Sequence, residues 1–194
     1  MNMRRTGVVG LAVVLAVGLV SAVRAESKPI DTDHSTLTVF VYKTGLFSAF
    51  ADDHVISAPL AAGSISEVAP LAVQISVAST SLKVLDPNLS ASRRADVQTR
   101  MLGKEVLDTA AFPEIAFAST TVDAAGPDKW KVTGRLTIHG RPQTITFETV
   151  RQDGRYRGSV LLKQRDFGIE PISIGGGSVK VKDEIKIQFD IALR

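Results

Sequence analysis

The side chains best suited to chemistry are few. His34, His54 and His139 are the only histidines, and His54 follows two carboxylates in the run Asp52-Asp53-His54. That run offers hard and borderline ligands for a cation, and it is the one place where a metal-dependent or other enzyme would find its groups. Adjacent residues rarely converge on one ion without further partners, and the sequence shows none, so no metal ligand is assigned. His34 reads as a loop residue behind Asp31 and Asp33, and His139 as a surface residue on the polar side of a strand. Ser27, Ser35 and Ser48 have no Gly-x-Ser-x-Gly around them. The glycine-rich "SIGGGS" at 173–178 lacks the Lys-Ser/Thr of a phosphate loop and reads as a turn. Arg165 and Asp166 read as a structural ion pair or a contact to a polar head group. The chain contains no cysteine, which excludes disulfides, thiolate metal sites and cysteine nucleophiles.

The elements that must position these groups are strands. From Trp130 to Glu148 the apolar residues Trp130, Val132, Leu136, Ile138, Ile145 and Phe147 alternate with lysine, arginine, threonine and glutamate. This is a hairpin with one apolar and one wet face. The C-terminal stretch repeats the pattern, with Val179, Val181, Ile185, Ile187, Phe189, Ile191 and Leu193 on one parity and a break at Asp183 that suits a bulge. Shorter alternations cover Thr36–Tyr42, Gly63–Glu67, Leu71–Leu85, Glu114–Asp123 and Arg155–Arg165, the last with Val160 and Leu162 on its inward parity. These make eight strands joined by Gly, Pro and Asp turns. One segment does not alternate: Asn88 to Asp108 has a Ser90 cap and apolar pairs four apart, which predicts a helix over 91–106. The stretch from Leu46 to Ile56 reads equally as a short helix or a loop.

Eight antiparallel strands leave a sandwich or a closed barrel, and the long C-terminal strands favour the barrel. A membrane barrel would need its charged face, with Lys129, Lys131, Arg135, Lys180, Lys182, Glu184, Lys186 and Asp190, inside a narrow lumen. The charged face is therefore outside and the apolar face inside. A packed interior and a cavity for an apolar ligand both remain open. Gly134 and Gly158 fall on the inward parity, where they mark a bend or the close approach of a ligand. Phe47 and Phe50, three apart, are placed either at the barrel mouth or in the core.

Residues 1–25 are a separate matter. Arg4 and Arg5 precede the uncharged run Gly7–Val20, and Val23-Arg24-Ala25 suits cleavage, so a secretory signal peptide is expected, too short for a convincing membrane span. This segment carries three of the 23 basic residues and none of the 20 acidic ones. The expected mature chain, residues 26–194, is thus electrically balanced and has no general grip on nucleic acid or anionic lipid. With the absence of cysteine, this fits one exported domain in a bacterial periplasm.

Four stretches resemble the YceI-like family of exported bacterial proteins: "HSTLTVFVY", "MLGKEVLDTAAFPEIAFAST", the hairpin "WKVTGRLTIHGRPQTITFE" and "RDFGI" at 165–169. The resemblance covers nearly all of residues 26–194, although the segment from Tyr42 to Ser66 is more compact than its family counterpart. It implies an all-β fold: a single extended antiparallel eight-stranded lipocalin-like barrel with one helix across or beside it. It also implies a lumen holding an isoprenoid or other amphiphilic lipid, with no catalytic machinery and no cofactor. The residues expected to line that lumen are Trp130, Val132, Leu136, Ile138, Ile145, Phe147, Val160, Leu162, Ile185, Ile187, Phe189 and Ile191, with Phe47 and Phe50 toward the mouth. An enzyme or metal protein using His54 with Asp52 or Asp53, and a filled barrel acting by protein contact, are the competing expectations. A homodimer stays open.

Overall fold

The computed structural model describes residues 26–44, 53–174 and 179–194. Phe47, Phe50, Asp52, the expected signal segment and most of the glycine-rich turn lie outside the described residues. Twelve strands follow in chain order: β1 (Ser27–Pro29), β2 (Thr36–Thr44), β3 (His54–Ser57), β4 (Ala62–Ser66), β5 (Ala72–Ala78), β6 (Lys83–Val84), β7 (Glu114–Gly126), β8 (Lys129–Ile138), β9 (Arg141–Gln152), β10 (Arg155–Lys163), β11 (Ser173–Ile174) and β12 (Val179–Ile191). One helix, α1 (Ala91–Leu102), stands between β6 and β7. All pairings are antiparallel, in the order β1-β4-β5-β7-β8-β9-β10-β12-β2-β3-β6, with β11 added beside β12.

The eight expected strands are all present, and four short ones join them. The extra pieces close the barrel. Beyond β1, Ile30 bridges Leu193, and Arg194 N–H donates to the Pro29 carbonyl at 3.0 Å, which ties the β4 side to the end of β12. At the other end of the strand order β6 pairs with β3. This corrects the reading of Leu71–Leu85 as one strand. A 3-10 turn at Ser79–Ser81 interrupts it, because serine side chains compete for backbone partners there: the Ser79 hydroxyl donates to the Phe112 carbonyl at 2.7 Å and the Ser81 hydroxyl to the Ala78 carbonyl at 2.7 Å. The chain leaves β5 and re-enters the sheet at its opposite edge.

The hairpins follow local chemistry. His139-Gly140 and Asp153-Gly154 each take two positive φ values, 52° and 68°, then 53° and 74°. This is the two-residue turn whose twist matches the strands, with glycine second. His139 therefore belongs to a turn rather than to the strand. It is half-buried against Phe112, with ring centroids 4.4 Å apart, instead of standing on the open surface. The register of β12 against β2 shifts between Val181 and Ile185, as the break at Asp183 foretold.

Helix α1 starts where Ser90 accepts a hydrogen bond from Arg93 N–H at 3.3 Å. It ends at Leu102, shorter than expected, because Gly103, whose N–H still donates to the Thr99 carbonyl at 3.0 Å, turns to an extended ψ of 179°. Val106 thus reaches the core from a turn and not from the helix. Gln98 fastens the helix to β6: its amide oxygen accepts from Val84 N–H and its amide nitrogen donates to the Leu82 carbonyl, both at 2.8 Å. The core is the barrel interior, where Val132 is 1 % and Phe167 2 % exposed. Burial of side chains of this size contributes roughly 1.5–3 kcal/mol each.

Candidate ligand-binding cavity

The inward residues do not fill the barrel. A cavity of about 320 Å³ runs through it, lined almost entirely by apolar side chains. Cavities of roughly this size, 300–1,000 Å³, hold small ligands. Trp130, Val132, Leu136, Ile138, Ile145, Phe147, Val160, Ile185, Ile187, Phe189 and Ile191 all lie in its wall. Leu162 does not: it is 6 % exposed and packed in the core, outside the cavity lining.

Sequence reasoning missed the opposite wall and both ends. Val39, Ile56, Ile75 and Phe117 complete the wall, and all but Ile56 lay in alternating runs that pointed inward. At one end Met101 of α1 joins Val106 and Leu107, so the helix and the turn after it line the floor. The apolar pairs four apart had announced a helix across or beside the barrel, but not which of its side chains meet the cavity.

The other end is polar. Glu67, Thr149, Arg151 and Tyr156 join the lining there. Tyr156 donates its hydroxyl to Glu67 Oε1 at 2.5 Å, and Lys28 Nζ bonds Glu67 Oε2 at 2.5 Å. The Arg151 guanidinium is 3.6 Å from the same carboxylate and lies over the Tyr156 ring, 5.7 Å from its centroid. Burial and the hydrogen bond to Glu67 push the Tyr156 hydroxyl up to about 12. The hydrogen bonds from Lys28 and Tyr156 hold the Glu67 carboxyl below its usual value. Two cations meet one carboxylate, and the Arg151 side chain is 43 % exposed, so at this end the lining reaches water.

The two inward glycines have a different role from the expected one. A Cβ on Gly134 would stand 2.5 Å from Cζ of Phe117, and one on Gly158 would stand 2.5 Å from Cζ of Phe189. The vacated space belongs to the protein's own rings, and no ligand fits there. Phe117, Phe147 and Phe189 form a row in the lining, with centroids 5.6 and 5.4 Å apart.

Among the described residues the histidine and acidic candidates do not assemble. His54 Nδ1 is 2.6 Å from Oδ2 of Asp86, a residue 3 % exposed whose Oδ1 accepts from Val55 N–H at 2.8 Å. Asp53 instead accepts from Lys43 N–H at 3.0 Å, so neighbouring side chains point to different partners. Among the described residues no three histidine, aspartate or glutamate side chains could hold a metal together. Arg165 does not pair with Asp166: its Nε meets Glu170 at 3.1 Å, while the Asp166 carbonyl accepts from Gln143. The short link between them turns the two side chains apart.

With this geometry in place, comparison with known proteins is informative. A protein of Shewanella oneidensis designated a UPF0312 protein is 27% identical over 185 residues, covering 86% of this chain and 88% of that one. A UPF0312 protein of Pseudomonas savastanoi pv. phaseolicola is 33% identical over 109 residues, covering 51% of this chain and 55% of that one. The crystal structure of Burkholderia cenocepacia BcnA superposes with a TM-score of 0.60 at 21% identity, covering 84% of this chain and 98% of that chain, which is a likeness of fold. Residues 29–193 match the sequence profile of the YceI-like domain. That span runs from the seam at Pro29 and Ile30 to the last closing residue, Leu193, and includes every residue of the cavity wall, so the chain belongs to the YceI-like domain family.

Proposed function

We propose that the protein binds an amphiphilic lipid, isoprenoid-like or fatty, with its hydrocarbon tail in the barrel cavity and its polar group at the Glu67–Arg151–Tyr156 end. The observation that carries this reading is the cavity itself: an apolar volume whose charged lining, Glu67 and Arg151, is gathered in one place. Energetics support it without polar chemistry in the interior. Each buried methylene contributes roughly 0.8 kcal/mol, so about ten give ~8 kcal/mol, near micromolar affinity before ordering costs. The side chains in contact with the tail would be those of the wall, from Trp130 and Val132 through Phe189 and Ile191. Membership of the YceI-like family fits a hydrophobic ligand.

The basic, then apolar, then small-residue pattern of residues 1–25 supports export to the periplasm, where such a protein would carry, store or shelter a lipid that water cannot dissolve. Two measurements test the proposal. Native mass spectrometry and solvent extraction of protein purified from its own host should show a lipid in stoichiometric amount; protein that is lipid-free and takes up no fluorescent fatty acid would refute it. Fractionation of cells should place the mature chain in the periplasm.

A further inference from the structure

The barrel wall contains a window. Strands β9 and β10 pair only through Gln152–Arg155, Arg151–Tyr156, Val150–Arg157 and Thr149–Gly158. Beyond that point no pairing joins them among the described residues, although each stays paired on its far side: β9 with β8 as far as Arg141, and β10 with β12 as far as Lys163. Gln143–Glu148, roughly 20 Å of extended chain, therefore faces Ser159–Lys163 across an unbridged gap. The gap is bounded and not merely frayed, because the Gln143 side chain donates to the Asp166 carbonyl at 2.6 Å at its far end.

A cleft of about 350 Å³ occupies this gap from outside, lined by Thr144, Thr146, Leu161, Lys163 and their neighbours. Ile145, Val160 and Phe167 line this cleft and the central cavity alike. Three apolar side chains separate the outside from the lumen. Ile145 and Val160 are only half-buried, and Leu161 on the rim is 59 % exposed, one of three large apolar side chains so open to water among the described residues.

We propose that the hydrocarbon tail enters and leaves sideways through this window, with Ile145 and Val160 as its gate. The inference rests on the lipid-binding reading above. The two ends of the cavity are costly to open. Lys28, Glu67, Tyr156 and Arg151 latch the polar end, and Met101, Val106 and Leu107 cover the other. Opening the window breaks no backbone hydrogen bond and requires only rotation of side chains. Sideways entry also lets a tail leave water segment by segment past the exposed Leu161 and between Ile145 and Val160, without being drawn past the ion pairs of the polar end.

The absence of native cysteine makes the test clean. Continuing the register of the paired residues sets Thr146 opposite Leu161, both exposed. The double variant Thr146→Cys/Leu161→Cys would be bridged with a short bis-maleimide, and association and release of the fluorescent fatty acid cis-parinaric acid followed by stopped flow. The references are the unbridged double variant and the two single variants capped with N-ethylmaleimide. Bridging should slow both rates about tenfold or more, with the equilibrium affinity nearly unchanged, as for a gated step. Unchanged rates in the bridged protein would overturn the window and leave the lipid site standing. Failure of the unbridged protein to bind the probe at all would overturn the lipid reading, and the window with it.

Discussion

Tyr156 and Glu67 share one hydrogen bond, 2.5 Å long, across 89 residues of sequence at the polar end of the cavity. It joins β10 to the residue just after β4, so the barrel's two halves are tied where a ligand's polar group would sit. The folded-state carboxyl of Glu67 lies below its unfolded value, so its contribution is present above about pH 4.5 and is lost as pH falls through the folded value. Thermal unfolding of the native protein should therefore lose stability on acidification from about pH 6 to pH 3 more steeply than Glu67→Gln does. The Tyr156 hydroxyl is raised, so its contribution is complete below its unfolded value of 10 and disappears as pH climbs through about 12. In a Tyr42→Phe background the phenolate absorbance should appear near pH 12, and at lower pH once Glu67 is neutralised.

Leu136→Arg places a cation where Leu136 is 7 % exposed in the cavity wall. Breaking an apolar environment with an unpaired charge costs several kcal/mol, and binding of an apolar tail should be lost. Circular dichroism separates folded from unfolded variant, and the folded fraction should retain no lipid on extraction.

Gly134→Ala tests the claim that the rings, and not a ligand, occupy the glycine sites. The new methyl would collide with Phe117 and with the Ala118 carbonyl, each 2.5 Å away. Overpacking of this kind should reduce stability by about 1–3 kcal/mol in urea unfolding. A neutral outcome would mean that the phenylalanine row moves freely.

Gln98→Ala removes the two bonds that fasten α1 to β6 and leaves Val84 N–H and the Leu82 carbonyl without side-chain partners. Each buried backbone group left unmatched costs about 1–3 kcal/mol. Hydrogen exchange at Val84 should accelerate while exchange in β8 and β9 stays slow, because the helix covers only the floor of the cavity.

Asp86→Asn should separate structure from metal chemistry at His54. The carboxylate is buried and holds both His54 Nδ1 and Val55 N–H. Stability should fall by about 1–3 kcal/mol as an acceptor is replaced by a donor, while calorimetry with zinc should show no binding in either protein. Zinc binding by the native chain alone would restore the metal reading.

The long strands were legible because a half-buried strand writes its two faces on alternate residues. From Trp130 to Phe147 and along β12 that period places each side chain without any knowledge of its partner. The break at Asp183 and the Asp153-Gly154 turn were equally local. Leu162 shows the limit: parity assigned it inward, correctly, but whether an inward residue meets a cavity or another side chain depends on the far wall. Short β6 and the Ser79–Ser81 turn were invisible as strand boundaries, since hydroxyls that re-route a chain look the same as hydroxyls on a wet face.

Amino-acid order alone thus determined which face of each long strand avoids water and favoured a barrel over a sandwich without deciding it, because alternation and turn geometry act within a few residues. Only the tertiary structure decided that Phe117 and Phe189 would fill the space over Gly134 and Gly158, that Asp86 rather than Asp53 would hold His54, and that β9 and β10 would part. Those outcomes depend on groups distant in the chain competing for the same volume or the same hydrogen bond, and that competition is settled only when the sheet closes.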